Sequence, residues 1–438
     1  MNRRTLIKLL MAGAGTAMAP AWVRPAMASG GGYKALVGIM LFGGNDSFNM
    51  VLSGNADAHT DYQNARSNLA LPSAELLSTG LSDQNGDALQ LHPQMPELAN
   101  LMAQGNTAVI CNCGTLIEPI TREAILAGQA RLPEFLFSHN SQQIAVESGV
   151  ASTKNSLGWG GRLMDMLSAN AGSGFNAITP LFSLVGNRKW ARSAMGNNVI
   201  SAGSIPSLDA LHHSPLAEGY QSLLSLPLQS AFEQELSSIQ RNARTTSDTL
   251  EELLTIYPSE GNYPDNNGLA SQLKTVESII RSNALLGHGR QLFLVGMGGF
   301  DNHDDLLARH APLMQTLSQA LAAFQNSLTS LGLDQQVTTF TMSDFGRRLL
   351  SNGDGTDHGW GGNQLVMGGA VKGGAYGLWP TLALEGPDSI YNGRMIPTTS
   401  VDQVAATLSQ WMGASTDQLN QLFPELYRFN SPTLDFMA

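Results

Sequence analysis

The sequence predicts an α/β fold in which a mostly parallel sheet carries helices in a doubly wound arrangement. Three observations point there. Apolar runs at 35–42, 291–297 and 336–342 are continuous rather than alternating, as strands buried on both faces require. Stretches with apolar residues at helical spacing lie between such runs, giving the strand–helix–strand rhythm of a parallel sheet. Three of the runs also end in turns that carry Asp, at the edge where open α/β sheets bind their ligands.

Taken in order, residues 1–28 stand apart. Asn2-Arg3-Arg4-Thr5-Leu6-Ile7-Lys8 is a twin-arginine pattern, an apolar stretch runs from Leu9 to Pro20, and Ala26-Met27-Ala28 offers a small-residue cleavage site. This layout reads as an export signal, with 29–438 as one mature domain destined for the periplasm or the exterior. No later segment reaches ~18 uninterrupted apolar residues, so no stable membrane insertion is expected. The strand at 35–42 opens the domain and runs into Gly43-Gly44-Asn45-Asp46-Ser47. Residues 93–104, with Pro93 near the start and Met95, Leu98, Leu101 and Met102 on one stripe, read as a helix, and Thr107–Cys111 as the next strand. On a strand Cys111 and Cys113 point the same way; they read as free buried thiols, with a strained bridge as the alternative.

Residues 150–225, rich in Gly, Ser, Asn and Pro, read as an irregular insertion. Helices follow at 228–256 and 268–287. After the strand at 291–297, a helix from Asp304 to Leu331 carries Leu306, Leu307, Leu313, Leu317, Leu321, Phe324 and Leu328 on an apolar stripe. The strand at 336–342, a Gly/Asp loop at 352–363, a strand near 364–368 and a helix at 401–412 complete the chain.

Only 13% of the 438 residues are charged while 42% are hydrophobic, which excludes a disordered chain. The net charge is −11, and removal of 1–28 takes away four basic and no acidic residues, leaving −15. That balance opposes phosphate backbones, so no nucleic acid partner is expected. A small anionic ester or a glycan bearing anionic groups needs a metal or a local cation.

The polar chemistry sits at the strand ends. Asp46 follows the first strand, Asp301-Asn302-His303 the strand at 291–297, and Ser343-Asp344-Phe345-Gly346-Arg347 the strand at 336–342; Asp357-His358 lies in the loop beyond. Convergence there places Asp46, Asp301, His303, Asp344, Asp357 and His358 in one site. Asp with His is a donor set for a divalent metal such as zinc, manganese or calcium. Taken singly, each Asp reads equally as a turn former. Ser138 precedes a helix that runs to Gly149, where unpaired N–H groups favour anions; it is a candidate nucleophile or a plain N-cap. Ser47 is a second candidate. His139 is a candidate ligand or acid/base, or equally a buried hydrogen-bonded His, and Arg347 is a candidate anion clamp or equally the partner of a core carboxylate.

Several of these stretches carry a resemblance: Leu41-Phe42-Gly43-Gly44-Asn45-Asp46-Ser47-Phe48-Asn49, Leu91-His92-Pro93, Ser138-His139-Asn140-Ser141-Gln142 and Gly158-Trp159-Gly160-Gly161-Arg162. Further along come Gly299-Phe300-Asp301-Asn302-His303, Ser343-Asp344-Phe345-Gly346-Arg347, Gly355-Thr356-Asp357-His358-Gly359 and Arg394-Met395-Ile396-Pro397-Thr398-Thr399. Over nearly the whole mature chain the sequence resembles a family of twin-arginine-exported bacterial proteins with a domain of unknown function, placed in the alkaline phosphatase/sulfatase superfamily. The resemblance implies a three-layer αβα fold with metal ligands at Asp46, Asp301, His303, Asp344 and His358 and a nucleophile at a helix start. It also implies two departures. The Asp301/His303 pair is spaced by two rather than four, and Phe345 stands where a second-metal His belongs, with Asp357-His358 as a substitute. The C-x-P-x-R context of a sulfatase cysteine is absent.

Two functions follow as expectations: metal-dependent hydrolysis of a phosphate or sulfate ester, or a non-catalytic exported binding protein that kept the fold. A metal-free serine esterase lacks its G-D-S block, and hydride chemistry lacks G-x-G-x-x-G after the first strand.

Overall fold

The computed structural model describes residues 32–168, 178–200, 216–224, 226 and 230–438. The twin-arginine pattern and cleavage site lie outside the described residues, as does part of the 150–225 stretch. Nine strands form the central sheet: β1 Lys34–Leu41, β2 Thr107–Gly114, β3 Leu181–Ser183, β4 Asn198–Val199, β5 Arg290–Met297, β6 Val337–Ser343, β7 Gly362–Met367, β8 Gly374–Tyr376 and β9 Thr399–Ser400. Their order is β8-β2-β7-β6-β1-β5-β3-β4, with β9 paired to β2. Every pairing is parallel except those of β7, which runs antiparallel to both β2 and β6.

The helices that matter for the core are α1 Ala56–Arg66, α2 Pro96–Met102, α3 His139–Ser148, α4 Trp159–Ser168, α5 Ala231–Ile256, α6 Gly268–Arg281, α7 Leu306–Ser330 and α8 Val401–Met412. Central β1 shows how they divide. Ala35, Val37, Ile39 and Leu41 face one apolar core with α2, α6 and α7, while Leu36 and Met40 face another with α3, α4 and α8. Helices on both faces of a mostly parallel sheet make the α/β three-layer fold. Gly38 interrupts the bulky pattern of β1 because a Cβ there would lie 3.2 Å from buried Trp190.

Several elements depart from their sequence-based bounds. The helix expected at 93–104 starts at Pro96, because 92–95 close a turn through Met95 N–H and the His92 carbonyl. The helix expected at 268–287 ends at Arg281, and a separate turn, Asn283–Leu286, closes on left-handed Gly287. In the stretch read as irregular insertion, β3 and β4 extend the sheet beyond β5.

The cysteines do not point the same way. Asn112 between them adopts φ 45°, and the pairing with β7 shifts register opposite it. This bulge turns Cys111 into one core and Cys113 into the other. Both thiols are free and buried; burial pushes Cys111 up to about 12 and Cys113 higher than its ordinary value, so neither is a nucleophile at neutral pH. Among the described residues no helix is long and apolar enough to cross a membrane.

Asp402, in the first turn of α8, accepts from the Val150 N–H just beyond α3 and so pins the end of that helix. Burial raises its carboxyl from 3.8 to about 7. The folded chain therefore holds a proton that the unfolded chain has released. This stabilisation is complete below the unfolded value and is lost as the pH rises through about 7. Thermal melts of Asp402→Asn between about pH 4 and about pH 8 are expected to lack that downward component; slopes equal to the parent's would contradict it.

Candidate metal centre

Strands β6, β1 and β5 are neighbours, so the loops after them meet at one edge of the sheet. The contact is close: a Cβ on Gly43, which has φ +115°, would lie 2.5 Å from the Asp301 backbone nitrogen. Across it, the Gly43 N–H donates to Asp344 Oδ2 at 3.2 Å. Helix α3 enters at this edge. His139 and Gln143, one turn apart on the same helix face, both reach Asp344 Oδ2, through Nδ1 at 2.6 Å and Nε2 at 2.9 Å. A hairpin of Arg347–Ser351 and Thr356–His358 then brings His358 back to the edge, with Gly355 packed on the His303 backbone.

The result is a cluster of imidazoles around one carboxylate. Donor atoms of His139, Asp301 and His358 all lie within 4.8 Å of one another. His303 Nε2 is 3.0 Å from His358 Nε2, and the two lie 3.1 and 3.2 Å from Asp301 Oδ1; His139 Nε2 lies 3.4 Å from Asp301 Oδ2. Two ligands each about 2.1 Å from a tetrahedral metal stand about 3.4 Å apart, so the spacing of each imidazole to Asp301 fits a shared ion, while the widest span across the cluster would have to close.

The opposite side of each ring is held by an acceptor. His139 Nδ1 meets Asp344, His358 Nδ1 meets the Phe137 carbonyl at 2.7 Å, and His303 Nδ1 lies 3.5 Å from Asp357 Oδ1. An N–H donated at Nδ1 leaves the Nε2 lone pair directed at Asp301, the arrangement that metal-binding histidines use. Buried His139 Nε2 and Asp344 Oδ1 make no hydrogen bond among the described residues, so the site has polar atoms to satisfy.

Electrostatics agree with that geometry. Burial raises the Asp301 carboxyl, but the Arg347 hydrogen bond and charge, with His303 and His139, outweigh it and hold the group below its ordinary value. Burial lowers His358, against the pull of the Phe137 carbonyl, and His139 and Arg347 lower it further, which favours the ring with a free lone pair.

The structure gathers Asp301, His303, His358 and His139 and sets Asp344 behind them. Asp46 does not join. It is buried and paired with Arg66 at the end of α1, whose guanidinium also donates to Asn49 Oδ1 and to the Arg348 and Leu349 carbonyls. Arg347 is not an exposed anion clamp: it is fully buried and bonded to Thr356, Gly43, Phe300 and Asp301. Ser47 is buried, its hydroxyl accepting from the Asn363 N–H at 2.7 Å. Ser138 is half-buried between Phe137 and His139, and its side chain does not cap α3. Phe345 forms a wall, its ring 4.8 Å from that of His139 and 4.6 Å from that of His358. Gln143 and Arg66 were not singled out in the sequence. Gln143, at helical spacing from His139, carried a signal; Arg66 carried none.

Residues 33–422 match the family described as "Protein of unknown function (DUF1501)". No curated protein matches the chain. Among solved structures, similarity is found to the periplasmic domain of EptC from Escherichia coli in complex with Zn, with 12% identity, TM-score 0.39, and coverage of 89% of this chain and 85% of that one. A protein in the alkaline phosphatase superfamily from Vibrio parahaemolyticus gives 10% identity, TM-score 0.38, and coverage of 96% and 78%. The lipoteichoic acid synthase LtaP from Listeria monocytogenes gives 9%, 0.35, 88% and 76%.

Because Asp46 pairs with Arg66 and stays out of the imidazole cluster, Asp46→Asn is expected to keep the metal content of the parent, read by elemental analysis. Arg66→Ala is expected to lose about 3–5 kcal/mol in urea unfolding, since it leaves a buried carboxylate unpaired. Loss of metal in Asp46→Asn would contradict this placement.

Proposed function

The chain belongs to the DUF1501 family of proteins of unknown function, so its own side chains must carry the assignment, and we propose that it is an exported, divalent-metal-dependent hydrolase of phosphate or sulfate esters. One observation carries the proposal: three imidazole Nε2 atoms, each ring held from behind at Nδ1, face a single carboxylate at the open edge of a parallel sheet. His139, Asp301, His303 and His358 would hold the ion, and this donor set suits zinc or manganese. When bound, such a metal polarises an ester oxygen and activates water.

The chain's own groups do the positioning. Asp344 and the Phe137 carbonyl orient His139 and His358, and Arg347 fixes Asp301. Asp301 keeps 46% of its side chain exposed, so the cluster is open to a substrate. Phe345 lines one side with an apolar ring packed on both imidazoles. Ser138, at the start of α3, is the candidate nucleophile, where the helix N-terminus favours negative charge. The site would hold one ion: with Asp46 withdrawn to Arg66, His139, Asp301 and His358 are the one cluster of three such donors among the described residues.

The alternative is a binding protein without turnover, favoured by Phe345, an apolar ring against both imidazoles where a second metal's ligand would be needed. Metal analysis and an ester screen decide between them. One metal per chain, with hydrolysis of a phosphate or sulfate ester that Asp301→Asn and His358→Ala abolish, supports the hydrolase. One metal without turnover supports the binding protein. No bound metal, and no gain in melting temperature with zinc, manganese or calcium, contradicts the hydrolase and leaves a binding protein that kept the fold without full metal ligation. Asp344→Asn, with every ligand in place, is expected to weaken metal affinity by roughly 10–100-fold, read by competition with a chelating dye; unchanged affinity would remove Asp344 from the site.

A further inference from the structure

An anionic ester needs a cation besides the metal, and Arg347 is fully buried. Arg188 is partly exposed. It stands at the start of the short Lys189–Ala191 turn, on the side of the sheet edge that α3 covers. Its guanidinium lies 5.0 Å from the ring centroid of Phe42, the residue that follows β1. Nε donates to Glu147 Oε1 at 2.9 Å, and Nη2 donates to the same oxygen and to Gln143 Oε1 at 2.9 Å. Gln143 in turn donates to Asp344 Oδ2, the atom that holds His139. Two hydrogen bonds thus connect this guanidinium to the carboxylate behind the imidazole cluster.

Its environment fixes it without exhausting it. Glu147 is buried, and its second oxygen accepts from the Trp190 N–H, so the acceptor that grips Arg188 is itself immobile. The arginine side chain keeps 29% exposure, and Nη1 makes no hydrogen bond among the described residues. A guanidinium locked on one edge, with Nη1 unspent and two hydrogen bonds from the carboxylate behind His139, is pre-organised for an oxyanion.

We propose that Arg188 is the anion-clamping, specificity-determining residue of this site, its Nη1 taking a non-bridging oxygen of a phosphoryl or sulfuryl ester. The proposal rests on the hydrolase reading above and deepens it: the site selects tetrahedral oxyanion esters over neutral ones.

The test uses the metal-loaded full chain, titrated calorimetrically with inorganic phosphate and, separately, with sulfate. Arg188→Gln is expected to weaken binding of whichever anion binds by roughly tenfold or more, with metal content unchanged. Arg192→Gln, which removes the same charge from an exposed position further along the loop, is expected to change nothing. In the unsubstituted chain the same anion is expected to shield Arg188 from phenylglyoxal, mapped by mass spectrometry, which decides the matter even if Arg188→Gln does not fold. Equal affinity in Arg188→Gln, an equal loss in Arg192→Gln, or labelling of Arg188 that neither anion slows overturns the clamp. A chain that binds metal but neither anion overturns the clamp and leaves the metal centre standing. A chain that binds no metal overturns the hydrolase reading, and the labelling arm still decides the clamp.

Discussion

A single buried guanidinium ties the working edge of the sheet together. Arg347 follows β6, yet its donors reach the Gly43 carbonyl after β1, the Phe300 carbonyl and Asp301 carboxylate after β5, and Thr356 on the strand that carries His358. Burial lowers its pKa, and the hydrogen bond and charge of Asp301, with Asp46 and Asp357, oppose that shift. A buried cation is tolerated only when its donors are satisfied, so each loop it touches is held to one conformation. The position of Asp301, and with it the focus of the three imidazoles, depends on this one side chain.

The same requirement explains how few cations remain for other work. The chain has 24 basic residues against 35 acidic ones, and Arg66 and Arg347 are spent inside it. Asp46 and Asp301 are thereby sorted: the first is neutralised in the interior by an arginine from α1, and the second stays half exposed with imidazoles around it. An acidic protein can then present a site for an anion, provided that a metal and a rim cation such as Arg188 supply the positive charge.

Much of this edge was legible in the sequence, because apolar runs that end in Asp specify both a buried strand and the place where it stops. Asp301, His303, Asp344 and His358 were found that way, and β6-β1-β5 adjacency brought them together. What stayed hidden depends on partners far along the chain. Nothing around Asp46 announces that Arg66 neutralises it, and nothing around Asp344 shows that it supports His139 from behind. Arg347 read equally as an anion clamp or as the partner of a carboxylate, and only tertiary contacts decide for the second, with Asp301. The cysteines are free and buried, as the sequence suggested, and only their direction differs, for a local reason: one left-handed residue, Asn112, reverses the alternation that a strand otherwise guarantees.

The central claim is that the three imidazoles and Asp301 are ligands rather than a hydrogen-bonded surface cluster. The most direct measurement is anomalous diffraction at the zinc or manganese edge from crystals grown with that metal. The account predicts one peak about 2.0–2.2 Å from the Asp301 carboxylate and from Nε2 of His139, His303 and His358, with Asp344 behind it and no peak at Asp46. A map with no peak among these groups, or a peak bound by Asp46, would contradict it.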